Sequence, residues 1–165
     1  MKKTYSAYKL MMLALPLTLL AGCGGGGNDT PAPIGSTITI NPSKVEWTLL
    51  PLNPCSTPGF RFSYHELLIS VTGSNGRPVS GATIDITLDQ SLPTWPSDNN
   101  RLYDDSAWIT GSNTAPTAQV SGNYRTTTSD NGTKRMIVGV GLCAQKSNFN
   151  VFSGSAFGTI SLEVK

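Results

Sequence analysis

The sequence predicts an all-β chain, two antiparallel sheets stacked as a sandwich, and three observations predict it. Apolar residues return at every second position in six separate windows from Thr37 onward, the period of a strand with one dry and one wet face. Runs of Gly, Asn, Asp and Pro separate those windows, as tight turns require. No stretch of twelve residues carries the 3.6-residue apolar spacing of an amphipathic helix. One-sided alternation suits sheets that are buried on a single face, and two such faces packed together close a core.

Each element follows in order. Ile38 and Ile40 alternate with Thr37 and Thr39, and Val45, Trp47 and Leu49 alternate with Glu46 and Thr48. Leu67, Ile69 and Val71 share a face opposite Glu66, Ser70 and Thr72. Ala82, Ile84, Ile86 and Leu88 oppose Thr83, Asp85, Thr87 and Asp89, the clearest half-buried strand in the chain. Met136, Val138, Val140 and Leu142 form a further core row, and Ile160, Leu162 and Val164 another. Asn75-Gly76 and Asn131-Gly132 sit between such rows, where positive φ makes glycine the default.

Ahead of the strands lies a different kind of sequence. Lys2, Lys3 and Lys9 precede an apolar run from Leu10 to Leu20, which is too short to span a bilayer and has the form of a secretory signal peptide over residues 1–22. Leu20-Ala21-Gly22-Cys23 resembles the lipobox of bacterial lipoproteins. The resemblance implies cleavage before Cys23, a diacylglycerol on its thiol and an acyl chain on its new amino group, so that Cys23 anchors the protein to a membrane. It also implies export, with Gly24 after the cysteine directing the chain to the outer membrane. Residues 24–36, GGGGNDTPAPIGS, hold one large apolar residue, Ile34, and read with Cys23 as a flexible tether (23–36) ahead of a sandwich domain over 37–165.

Removing the signal changes the charge balance. Three of the twelve Lys and Arg lie in it, leaving nine against ten acidic residues and a mature net charge of −1. A surface this close to neutral has no field to attract nucleic acid, which is excluded as a partner. The remaining cysteines, Cys55 and Cys143, make an even pair in an exported chain and are expected to form a disulfide. A metal pair or redox couple lacks a Cys-x-x-Cys spacing to support it.

Two stretches carry a second resemblance. ISVTGSNGRPVSGATIDITL, Ile69 to Leu88, is similar to bacterial Ig-like domains of the invasin and intimin type, in which a strand enters an Asn-Gly-x-Pro-Val-x-Gly turn and leaves as alternating Val and Ile. TTTSDNGTKRMIVGV, Thr126 to Val140, is similar to the second hallmark of those domains, a Thr-rich strand, an Asp-x-Gly turn and an apolar strand. The resemblance implies an Ig-like antiparallel β-sandwich. The chain departs from the family in its single copy, in the cysteine pair and in an enlarged inter-strand region from Gln90 to Gly122.

Catalytic chemistry has little to stand on. His65, the one histidine, shares strand parity with Leu67 and is expected to be partly buried and hydrogen-bonded. Ser63 and Glu66 fall on opposite faces of the same strand, so a local Ser-His-Glu relay fails on geometry. No metal site or cofactor is expected, and the chain does not read as an enzyme. The most distinctive stretch is Leu92 to Trp108, which sets Trp95, Tyr103 and Trp108 among Asp98, Asn99, Asn100, Asp104 and Asp105. Rings beside carboxylates and amides could stack on a sugar or peptide. The same oxygens could take Ca²⁺, although the spacing matches no EF-hand loop. The plainer alternative is a long loop folded on its own aromatics.

The reading is therefore an exported, membrane-anchored surface lipoprotein whose Ig-like domain serves as a non-catalytic interaction or structural module, in adhesion or envelope assembly. Its partner would be a protein or a glycan. Two alternatives remain open: glycan or peptide binding through the Trp95–Trp108 loop, and an accessory subunit of a pilus or secretion machine.

Overall fold

The computed structural model describes residues 29–47, 62–89, 100–112, 114–120, 123–141 and 146–164. Among them lie ten strands: β1 (Thr37–Asn41), β2 (Lys44–Trp47), β3 (Phe62–Thr72), β4 (Thr83–Asp89), β5 (Arg101–Tyr103), β6 (Gln119–Val120), β7 (Asn123–Thr127), β8 (Thr133–Gly141), β9 (Lys146–Ser153) and β10 (Ala156–Val164). They form two five-stranded sheets, β1-β3-β8-β5-β6 and β2-β10-β9-β4-β7. The pairings are antiparallel except for β2, which runs parallel to β10 with Val45 beside Leu162. The chain crosses from the first sheet to the second between β1 and β2. The fold is a two-layered β-sandwich.

The alternating rows meet in the middle. Ile38, Ile40, Leu67, Ile69, Val71, Met136, Val138 and Val140 of the first sheet pack on Val45, Ile84, Ile86, Phe149, Val151, Ile160 and Leu162 of the second. All are at most 9% exposed. Burying a side chain of this kind contributes about 1.5–3 kcal/mol, so these rows dominate the stability of the domain.

Connectivity sorts the segments between strands to two ends. At the N-terminal end lie Thr37 beside Thr72, Thr133 beside Ser70, Thr83 beside Thr127, and the β9–β10 hairpin. At the opposite end Phe62 pairs with Gly141, Asp89 with Asn148, and Trp47 with Val164. The connections from β2 to β3, β4 to β5 and β8 to β9 all leave and return there.

Four expectations are corrected or extended. The tether boundary at residue 36 is too late. Ala32 is buried, its N–H donates to Ser153 Oγ at 2.9 Å, and Thr83 N–H donates to Thr30 O at 2.8 Å. Thr30 to Ala32 run beside the start of β4, where the β9–β10 hairpin turns away and leaves its edge open. Secondly, β9 was not among the expected strands, because Phe149 and Val151 are its only core residues and Asn148 and Asn150 flank them. Thirdly, the region 90–122 contains two short strands, β5 and β6. Lastly, β8 is buried on both faces at Ile137, which the period-two pattern assigned to water. Cys23, Cys55, Cys143, Trp95 and Asp98 lie outside the described residues.

Candidate functional site

The two hallmark turns meet at the N-terminal end. Gly132 carries φ +72°, and its amide closes a turn by donating to Ser129 O at 2.9 Å. Val71 N–H donates to Gly132 O, and Val79 N–H to Val71 O, both at 2.9 Å. Thr128 completes the lock: its N–H donates to Ala82 O, its carbonyl accepts Gly81 N–H, and its hydroxyl donates to Val79 O while accepting Ala82 N–H. These contacts join the turn at residues 73–81 to the turn at residues 128–133. Both sequence hallmarks thus act as one structural device, a brace between the sheets.

The loop from Asp104 to Ala118 folds down over the outer face of the first sheet. Trp108 and Tyr103, 6% and 3% exposed, pack with Ile137 and Tyr64 into a second, smaller apolar cluster. Tyr64 meets the Tyr103 ring edge-on at 5.8 Å between centroids and the Trp108 ring at 6.2 Å. Gly139 makes room for this layer, since a Cβ there would come within 3.1 Å of both tyrosine rings. The Trp108 indole N–H donates to Thr114 O at 2.9 Å, which satisfies the one polar group of the ring.

The acidic residues of the loop are engaged in holding it. Asp105 Oδ1 accepts the N–H groups of Ala107 and Trp108, and its Oδ2 accepts Thr117 N–H and Oγ1–H. Those bonds, led by the one from Thr117 N–H, hold the Asp105 carboxyl below the usual carboxylate range. Asp104 Oδ2 accepts the Tyr124 hydroxyl at 2.5 Å and pairs with Lys134 Nζ at 2.7 Å. Because Tyr124 belongs to the second sheet, this pair links the two sheets along one edge. Burial, then the bond to Asp104, raises the Tyr124 phenol above its ordinary value.

Arg135 is the residue that sequence reasoning missed. Its guanidinium donates to Asp105 O at 3.0 Å, to Trp108 O at 2.7 Å and to Glu66 Oε2 at 3.1 Å, pinning the loop to β3 and β8. Thr110 Oγ1 adds a bond to the same Glu66 oxygen at 2.7 Å. The available signal was Ile137, an apolar residue on the nominal wet face of β8, which marks that face as covered.

The expectation of a ring platform is therefore corrected. It needed at least two exposed rings among Trp95, Tyr103 and Trp108, and the structure buries Tyr103 and Trp108. The same packing gives Asp104 and Asp105 internal partners, so these carboxylates serve the loop. His65 behaves as expected: it is half-buried, it hydrogen-bonds Ser63 Oγ at 2.8 Å through Nε2, and burial lowers its pKa. Glu66 faces the other side of the sheet with Arg135, so the three residues do not converge.

Glu66 supplies a pH test. Hydrogen bonds from Arg135 and then Thr110 hold its carboxyl below the usual range. A depressed carboxylate stabilises the fold above the unfolded-state pKa and loses that contribution as pH falls through the folded value. Glu66→Gln is expected to lower stability at pH 7 by no more than about 1 kcal/mol, since the pair is partly solvated. The variant and the wild type should converge as the pH falls through the lowered folded-state value of the Glu66 carboxyl, which melts taken across the acid range will check.

No family model matches the chain, and no curated protein matches it. Solved structures show distant likeness, two of them as follows. One is the S-layer protein SbsC, domains 4 and 5, with 11% identity and a TM-score of 0.42 over 78% of this chain; the chain spans 44% of that structure's length. The other is the ASH/PapD-like domain of human CEP192 (PapD-like domain 7), with 9% identity and a TM-score of 0.37, covering 97% of this chain and 96% of that one.

Proposed function

We propose that this chain is an exported lipoprotein, anchored to the outer membrane through Cys23, whose Ig-like domain works as a non-catalytic interaction or structural module of the cell envelope. The observation that carries the reading is the short path from Cys23 into the fold. The lipobox cysteine lies six residues before Asp29, and Thr30 to Ala32 are already hydrogen-bonded into the second sheet. An anchor at Cys23 would hold a rigid domain close to the lipid. Asp105 of the long loop, meanwhile, bonds the loop's own backbone, and Asp104 is engaged by Tyr124 and Lys134. That use of its polar groups favours a scaffold over a reaction centre.

Fractionation tests the anchor. One acyl chain gives marginal membrane binding, whereas two or more hold firmly. Wild-type protein is expected in the membrane pellet and Cys23→Ser in the soluble fraction; a freely soluble wild type would end the lipoprotein reading.

A Cys55–Cys143 disulfide belongs to the same proposal, since an exported chain meets an oxidising compartment. What supports it is the pairing of Phe62 with Gly141, because Cys55 precedes the one residue and Cys143 follows the other. Thiol titration of the unfolded, unreduced mature protein should find neither cysteine free. Two reactive thiols would rule the bridge out.

A further inference from the structure

Among the described side chains, the outer face of the second sheet has an apolar interruption in its polar surface. Phe152 on β9 and Phe157 on β10 point outward directly opposite each other, with ring centroids 5.1 Å apart and 38% and 54% of their surfaces exposed. Around them the outward residues are Asn150, Thr159, Thr87 and Asp85. The pair lies beside the β9–β10 turn, at the N-terminal end of the sandwich. Ile34, the most exposed of the large apolar residues described, belongs to the turn closed there by Ser36 N–H on Pro33 O. A contiguous pair of exposed rings in a polar face offers a contact for a membrane or another protein.

The path of the chain selects between these. Arg125, Asp85, Phe152 and Phe157 form one row across four adjacent strands, each paired in register with the next. Arg125 also reaches Asp29, with Nη1 at 3.2 Å from Oδ2, so the chain enters the domain at one end of this row. Four adjacent strands span about 15 Å. Cys23 lies six residues before Asp29, a separation of at most about 20 Å when fully extended. The opposite end of the sandwich is a further nine-residue strand away, roughly 27 Å along β8. A bilayer holding Cys23 is thus within reach of the phenylalanine row, which lies nearer the tether than the opposite end does.

We propose that Phe152 and Phe157 form a lipid-contact patch that lays the N-terminal end of the sandwich against the membrane, with the exposed Ile34 turn as a second apolar contact at that end. This rests on the lipid anchor at Cys23. Two half-exposed rings are a weak membrane ligand on their own. The tether makes their insertion an intramolecular event, and effective concentration turns a weak contact into a populated one. Asp29, Asp85 and Arg125 give the row a net charge of −1, so contact is driven by apolar burial and requires no anionic lipid. The consequence is a fixed orientation, with the end where Phe62 pairs with Gly141 directed away from the bilayer and towards partners.

The full-length lipidated protein, reconstituted into phosphatidylcholine vesicles containing a phospholipid with a photoactivatable acyl chain, tests this directly. After illumination, mass spectrometry should find lipid adducts on peptides containing Phe152 and Phe157, severalfold above those on the 106–117 loop. That loop is the internal control because it carries Ile109, equally apolar and 74% exposed on the other sheet. Phe152→Ser with Phe157→Ser should remove the adducts while the protein still pellets with vesicles. Raising salt should leave them unchanged. If the chain carries the Cys23 lipid and pellets, yet labels its loop as strongly as its hairpin, the patch is overturned and the anchor stands. If the N-terminal peptide carries no lipid and the protein stays in solution, both fall.

Discussion

Trp108→Ala is expected to destabilise the domain by about 3–5 kcal/mol, the range for truncating a large buried aromatic. The ring is 6% exposed and touches Tyr64 within a cluster completed by Tyr103 and Ile137. Its removal leaves a void beneath the loop and strips cover from Ile137, which is otherwise fully buried. The melting temperature should drop by on the order of 10 °C or more for a domain of this size. Trp108→Phe keeps one ring in the cluster while giving up the bond to Thr114 O and part of the indole volume, so its loss should fall between wild type and Trp108→Ala. A Trp108→Ala melt within a degree or so of wild type would mean that the loop does not rest on this ring, and the buried cluster would have to be abandoned.

Gly132→Ala should cost about 3 kcal/mol or more, by two additive routes. At φ +72° any L side chain strains the backbone, at about 1–2 kcal/mol. A Cβ would also stand 2.7 Å from Pro78 Cβ and 2.8 Å from Val79 N, distances that force the facing turn to move. That turn cannot retreat without loosening Val79 N–H from Val71 O and Thr128 Oγ1 from Val79 O. Gly76→Ala is the matched control, at φ +75° with nothing within 4 Å of the added carbon. It should show the backbone strain alone. Chemical denaturation of the pair isolates the clash, and equal losses would show that the two turns are not braced against each other.

Most of the sandwich was legible because its strands obey a simple rule. In Thr37–Asn41 and Thr83–Asp89 every apolar residue falls on one parity, so face and period can be read together. The turns were legible for a similar reason, since glycine at positive φ is a local requirement visible in local sequence. What escaped reading depends on distant partners. Thr30 to Ala32 look like linker because Pro and Ala carry little apolar area, and their order comes from backbone bonds to Thr83 and a side chain 121 positions away, Ser153. The strand β9 has two core residues among asparagines and gains its place from β4 and β10 on either side. The aromatic loop was ambiguous because a ring that packs on its own sheet and a ring that awaits a ligand have the same composition. Arg135 decides the matter by holding two loop carbonyls, and no sequence spacing announces such a contact.

The position of β10 has a consequence for how the molecule comes into being. It sits inside the second sheet, between β2 and β9, and among the described residues β2 pairs with β10 alone, Val45 beside Leu162. A nascent polypeptide that has emerged only as far as residue 155 has no partner for β2 and an open flank on β9. The native topology thus becomes attainable only when nearly all the residues described here have left the ribosome. Such a dependence on pairings distant in sequence places folding among the slower, millisecond-to-second class. For a chain exported through a narrow channel, as proposed above, that delay is useful. The polypeptide remains threadable during passage and acquires its shape on the far side.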